Sequence, residues 1–179
     1  LINKNYIFYA IYLYILFSIE EWIVHKYFMH SEQDFELSKS HIKHHLQVGT
    51  DMSLNSKDNK PHGLFLFWKE TLLVFIIGLF SAFLLNKHFN VTKEYVIILT
   101  LIGTIYQSSF WNTIHPDIHN VNYHVTLCEG VPGFNFLKYH PLYSWLKKNH
   151  IQHHLIKGAK KGNYNITMPF ADFLFASYN

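Results

Sequence analysis

The sequence predicts an all-α integral membrane protein, with transmembrane helices and a cytosolic helical cap rich in histidine. Three observations predict it. Apolar residues make up 49% of the chain and charged residues only 15%, against about a quarter charged in soluble domains. Three long apolar runs approach or reach the roughly 20 residues that a helix needs to cross a bilayer. The 14 histidines are concentrated in four groups beside the ends of those runs.

The first run, residues 6–19, reads YIFYAIYLYILFSI. With Leu1 and Ile2 before it and EEWIV after it, it predicts a helix of bilayer length. The second, from Gly63 to Leu85, contains LFLFWKETLLVFIIGLFSAFLL, with Trp68, Lys69 and Glu70 at its interfacial end. The third, Tyr95 to Ile114, reads YVIILTLIGTIYQSSFWNTI. The polar stretch NKHFNVTKE between them predicts a transmembrane hairpin. Most lysines outside that turn fall in Lys26 to Lys60 and Lys138 to Lys161, which places those regions in the cytosol by the positive-inside rule. All four histidine groups then share the cytosolic face.

At 179 residues the chain is expected to be a single domain over 1–179. It opens at Leu1 in mid-pattern, which predicts truncation at the N-terminus. Cys128 is the only cysteine, so neither a disulfide framework nor a cysteine-based zinc finger is available. The net charge of +3 comes from lysines beside apolar runs, with no basic stripe interleaved with aromatics. That pattern fits a membrane and not nucleic acid. Two glycosylation sequons, at Asn90 and Asn165, are expected to be silent, the first too near the membrane and the second cytosolic.

The histidine groups read HKYFMH (His25, His30), HIKHH (His41, His44, His45), HPDIH (His115, His119) and HIQHH (His150, His153, His154). Positions i, i+3 and i+4 share one helical face, so each H-x-x-H-H cluster presents three imidazoles together. His25 and His30 are five apart, so they either serve different metals or sit on a distorted helix end. Pro116 is expected to break or cap the helix there, with a helix starting at the membrane surface. A single histidine is ordinarily a solvated or hydrogen-bonded residue. Chance, however, supplies roughly 0.1 H-x-x-H-H match at this histidine content, and the chain has two. Imidazole is a common ligand of iron, zinc, copper and nickel, so ten histidines predict two metal ions with five nitrogens apiece, or fewer with water. Glu21 and Asp117 are candidates to orient the ligand rings. His124 and His140 are possible additions, while His62 and His88 fall outside the clusters. Trp111, Phe134, Phe136 and Trp145 are candidates for a substrate mouth, with core or belt packing the commoner role. Asn112 and Asn120 are candidates for ligand contacts or for helix caps.

These motifs, in this order and with a hydrophobic hairpin between the second and third, resemble the membrane fatty acid hydroxylase and sterol desaturase superfamily, the histidine-box di-iron enzymes. The closing segment, with Gly162, Asn163, Tyr164, Pro169, Asp172, Leu174 and Phe175, is similar to the family ending. HPLYSWLKKNHIQHH is nearest to fatty acid 2-hydroxylases, which act on sphingolipid acyl chains. The chain departs from the family in showing three spans for the usual four, in Ala176-Ser177 where the ending has Gly-Thr, and in lacking a cytochrome b5 haem loop. The resemblance implies O2-dependent hydroxylation of a lipid C–H bond at two iron ions, with zinc able to occupy the sites after purification. Electrons would come from NAD(P)H through a reductase and a cytochrome b5-like donor, and the location would be the endoplasmic reticulum. The basic KGAKK stretch would meet anionic lipid or an acidic donor. A sterol or carotenoid oxidase or desaturase shares the ligands. Outside the class stands a membrane metal-binding protein without catalysis. A transporter would place ionisable residues deep in the spans, where this sequence has almost none.

Overall fold

The computed structural model describes residues 3–33, 36–55, 63–156 and 161–179. The architecture is all-helical, with no strand among the described residues and one isolated bridge between Val48 and Leu54. Helix α1 (Lys4–Ile23) runs on into a π-helical turn, Val24–Met29. Then come α2 (Glu36–Gln47), α3 (Trp68–Phe89), α4 (Lys93–Ile118), a 3₁₀ turn (Asn135–Tyr139), α5 (Tyr143–Leu155) and the short α6 (Ala171–Leu174). His62, Lys57, Lys60 and most of the KGAKK stretch lie outside the described residues.

Helices α1, α3 and α4 pack together as the long layer. Their shared core holds Tyr9, Leu13, Phe17, Ala82 and Val96. The Tyr9 hydroxyl donates to the Ala82 carbonyl at 3.1 Å, which satisfies the one polar atom the ring brings inside. The hairpin between α3 and α4 closes tightly. Asn90 takes the left-handed conformation at φ 53° as the C-cap of α3, and the Thr92 hydroxyl accepts from Tyr95 N–H to start α4.

Two helical segments are long and apolar enough to cross a membrane, Lys4–Met29 and Trp68–Phe89. Leu72, Leu73, Ile76 and Phe80 stand along the outside of α3, each more than half exposed. Helix α4, the third expected span, packs along α3 and brings the chain back to the end from which α3 leaves, where Thr71 and Ser108 meet. Helix α4 is apolar on its exterior only in its first half, where Ile97, Ile98, Leu101, Ile102 and Ile105 are exposed. From Gln107 to Ile118 nearly every residue is buried inside the protein, including Ser108, Ser109, Asn112 and Thr113. Those polar side chains bind neighbouring loops: Asn112 accepts from Leu66 N–H and donates to the Leu66 and Val131 carbonyls. Asn112 is thus a staple between loops and not a ligand contact. Asn120 sits just past the C-cap at φ 54°.

Pro116 does not start a helix. It lies inside the last turn of α4, where it leaves the Asn112 carbonyl without its helical donor. Gly133 backs directly onto that carbonyl: a methyl group added to Gly133 would come within 2.3 Å of the Asn112 oxygen. Asn165, in the second sequon, is fully buried and hydrogen-bonded to Ser18 and Glu21, so it is closed to modification in the fold.

Candidate metal centre

The ten clustered histidines come together at one end of the long helices, opposite the α3–α4 turn. They form two groups of five. His25, His30, His41, His45 and His153 make site 1; His44, His115, His119, His150 and His154 make site 2. Within each group one ring nitrogen per residue lies within 4.8 Å of all the others.

Helix geometry accounts for the division. On α2, His41 and His45 are i and i+4, separated by about 40° around the axis, while His44 at i+3 is turned about 60° the other way. His41 and His45 enter site 1 and His44 enters site 2. Helix α5 does the reverse, sending His150 and His154 to site 2 and His153 to site 1. The two helices therefore exchange roles across the pair of sites. The His45 and His154 rings stack at 4.1 Å where the sites meet. The π-turn supplies the remaining pair of site 1. Its wider winding bonds His30 N–H to the His25 carbonyl, five residues back, at 3.2 Å, so residues five apart align. The sequence left open whether His25 and His30 serve different metals; both lie in site 1.

Four rings of the centre have Nδ1 fixed by a backbone carbonyl. His25 Nδ1 contacts the Tyr164 carbonyl at 2.6 Å and His153 Nδ1 the Gly162 carbonyl at 2.7 Å. His115 Nδ1 meets the Leu64 carbonyl at 3.0 Å and His119 Nδ1 the Met52 carbonyl at 2.9 Å. A carbonyl accepts only, so these rings carry their proton on Nδ1 and aim the Nε2 lone pair inward. The buried Nδ1 atoms of His41, His44 and His150 have no hydrogen-bond partner among the described residues.

In site 1 the Nε2 atoms of His41, His30, His153 and His45 form a four-sided ring with edges of 3.2, 3.0, 3.2 and 3.1 Å. His25 Nε2 stands 3.1 Å from His41 Nε2. In site 2, His150 Nε2 lies 3.2 Å from His119 and 3.1 Å from His154. The buried Nε2 atoms of His44 and His115 have no partner. Lone pairs facing one another at such distances repel unless a cation stands among them. A metal bonded to imidazole at about 2.1 Å holds right-angle neighbours about 3 Å apart, whereas tetrahedral neighbours lie about 3.4 Å apart. The residues present therefore fit a five- or six-coordinate divalent ion better than a closed tetrahedral zinc.

Burial also keeps these imidazoles neutral and able to ligate. It holds His119 down to about 4. Burial, then the neighbouring His25, takes His30 to about 2. His41, His44, His150 and His153 are pushed well below the ordinary histidine range by burial and then by adjacent rings or Lys161.

The expected orienting carboxylates are corrected. Asp117 touches no ligand ring; it accepts from Lys138, Tyr143 and Lys147. Partial burial works against its charge, but those three donors hold its carboxyl down at about 2. Glu21 also bonds no histidine. Its buried carboxylate gathers the closing segment, accepting from Ile166, Thr167 and Met168 N–H, the Thr167 hydroxyl and the Asn165 amide at 2.8–3.2 Å. Asp172 adds the Tyr164 and Asn165 N–H groups at 2.9 and 2.8 Å. Glu21 thus acts at one remove, by holding the loop whose Tyr164 carbonyl orients His25. Gly162 is closed to any side chain, since a Cβ there would lie 2.0 Å from the Ser177 carbonyl.

His140 and His124 belong to neither group. His140 stands against the Phe110 ring and accepts from Leu142 N–H. His124 lines an open polar pocket beside Asp117 and Lys138. His88 is exposed at the far end of α3. Of the aromatic candidates, Trp111 is buried beside His25 and His115. Phe134 and Phe136 stack on each other at the surface, and Trp145 stacks with Phe173 and Tyr178. The orienting carbonyls of Met52, Leu64, Gly162 and Tyr164 carry no side-chain signature and were not visible in the sequence. No protein-family model, curated protein or solved structure matches the chain.

Proposed function

We propose that the chain is an O2-dependent membrane oxidoreductase that hydroxylates a C–H bond of a lipid at a centre of two iron ions. One observation carries the reading: two adjoining groups of five inward-facing imidazoles, with nitrogen spacings that suit ions of high coordination number. Two redox-active ions held by neutral imidazoles supply the electrons and the open positions that O2 chemistry requires. The resemblance of the four histidine motifs to the membrane fatty acid hydroxylase and sterol desaturase superfamily supports the same reading.

The chain's own residues hold the ions, fix ring orientation through four carbonyls and exclude water by burial. Helices Lys4–Met29 and Trp68–Phe89 cross the membrane, α4 returns the chain to the histidine end, and their exposed apolar faces meet lipid. The lysine distribution turns the histidine end toward the cytosol, with the endoplasmic reticulum as the location. There a cytochrome b5-like donor can deliver electrons from NAD(P)H. The most favoured substrate is a fatty acyl or sphingolipid acyl chain. Zinc suits imidazole as well, so metal content must be measured with activity.

The test feeds 18O2 to cells making the protein, with His44→Ala as the control, and weighs their lipids by mass spectrometry. A labelled lipid that disappears in the variant is the expected result. A lipid two hydrogens lighter and without label makes the enzyme a desaturase. No change, with two metals bound and a competent donor supplied, sinks the oxidase reading.

A further inference from the structure

A cavity of about 60 Å3 lies among α1, α3 and α4, with His25 in its wall. Val24, Leu66, Val74, Ile77 and Trp111 make most of the lining apolar. Two polar atoms do not fit that lining. Glu20 Oε1 and Gln107 Oε1 are both buried and both without a hydrogen-bond partner. Ser81 hydrogen-bonds the Glu20 carboxyl, and Gln107 is only 6% exposed. Glu21, which also borders the cavity, is already committed to the closing segment. An unsatisfied acceptor in apolar surroundings is costly to keep and calls for a partner. An ionisable group at the depth of a membrane span marks a functional site by default. Ile77 both lines the cavity and is 38% exposed on α3, so it reaches from the cavity to the outer surface.

We infer that Glu20 and Gln107 form a subsite that accepts hydrogen bonds from an O–H or N–H donor on the lipid substrate, placing that group against His25. The inference rests on the proposed reading of the centre as a lipid oxidase. It narrows the substrate to a neutral lipid carrying a hydroxyl or an amide N–H near the carbon attacked. A plain hydrocarbon tail would leave both acceptors unpaired. A deprotonated carboxylate or phosphate has no hydrogen to give to either oxygen.

The test is equilibrium binding to the full, metal-loaded chain in lipid nanodiscs without O2, so that no turnover intervenes. Radiolabelled 1-hexadecanol is compared with hexadecyl methyl ether, and hexadecanamide with its N,N-dimethyl derivative. The expected result is that one donor-bearing probe binds on the order of tenfold more tightly than its capped partner. The pair that shows the preference separates the alcohol from the amide. Glu20→Met and Gln107→Met should reduce the preference to less than about threefold while leaving the capped probe's affinity and the metal content unchanged. Gln107→Glu, which keeps an acceptor and the shape, should retain it and controls for misfolding. Equal affinity within both pairs, or a preference that survives both methionine variants, overturns the subsite and leaves the cavity to water. A preserved preference with no 18O-labelled lipid defeats the oxidase reading alone. Labelling without any preference defeats the subsite alone.

Discussion

Site 1 and site 2 use the same ligand type and the same two short helices, yet they are drawn together to different degrees. Five Nε2–Nε2 contacts of 3.0–3.2 Å link all members of site 1. Site 2 has two such contacts, and His44 and His115 face inward without one. The difference follows from what each site leans on. Site 1 is fastened by the π-turn and by the closing segment, through Tyr164 and Gly162. Site 2 is fastened by the last turn of α4 and by the loops at Met52 and Leu64. Position along the chain does not separate them; the supporting backbone does.

The largest expected effect is on site 1 itself. His41 takes part in three of its close contacts, so His41→Ala should lower lipid oxidation by more than about 100-fold, beyond the range seen when only an orienting partner is lost. Metal analysis and lipid mass spectrometry check it together. Wild-type metal content in this variant would break the comparison. Next in size is Glu21→Ala. It strips five hydrogen bonds from the closing segment, leaves their buried donors unpaired and should cost at least about 3 kcal/mol, with metal lost from site 1 before site 2. Unfolding in urea and metal counting per chain measure the two effects.

Acid sharpens the contrast between the sites. Above pH 6.5 His119 is neutral whether folded or unfolded, and contributes nothing to pH dependence. Between pH 6.5 and about 4 the unfolded chain takes up a proton that folded His119 refuses, so metal-free protein loses stability as pH falls. The loss approaches about 3 kcal/mol for this residue alone. His30 refuses protonation down to about 2, so it stays a free ligand at pH values where His119 begins to charge. Thermal unfolding of the metal-free protein at pH 7.5 and 5 tests the sign; stability that rises on acidification would refute it. The smallest effect belongs to Asp117. It serves two lysines and Tyr143 at a part-buried surface, so Asp117→Asn should cost about 1–2 kcal/mol and leave metal content unchanged.

Much of this centre was legible in the sequence. H-x-x-H-H spacing fixes three imidazoles on one face of α2 and of α5, and apolar runs mark α1 and α3. The allotment of His44 against His41 and His45 was not legible, because it depends on how α2 crosses α5. The π-turn was not legible either. Nothing local in VHKYFM demands the wider winding, and tertiary contacts with α2 and the closing segment select it. Asp117 misled because closeness in sequence was taken for closeness of side chains: its carboxylate points away from both flanking rings, toward α5 and the 3₁₀ turn. The burial of the second half of α4 was not legible either, because hydropathy alone cannot tell residues that face lipid from residues that meet the protein's own loops.

The bond from His25 to the Tyr164 carbonyl joins residues 139 positions apart. A ribosome makes His25 well before Tyr164, and at a few to about twenty residues per second the partner emerges only many seconds later. Through that interval the His25 imidazole lacks the carbonyl that orients it. Closure of this part of the molecule is therefore a late event in its biosynthesis, paced by the return of a distant stretch of chain. A stop codon anywhere between His154 and Tyr164 would spare every histidine in the centre and still leave the earliest of them unfastened.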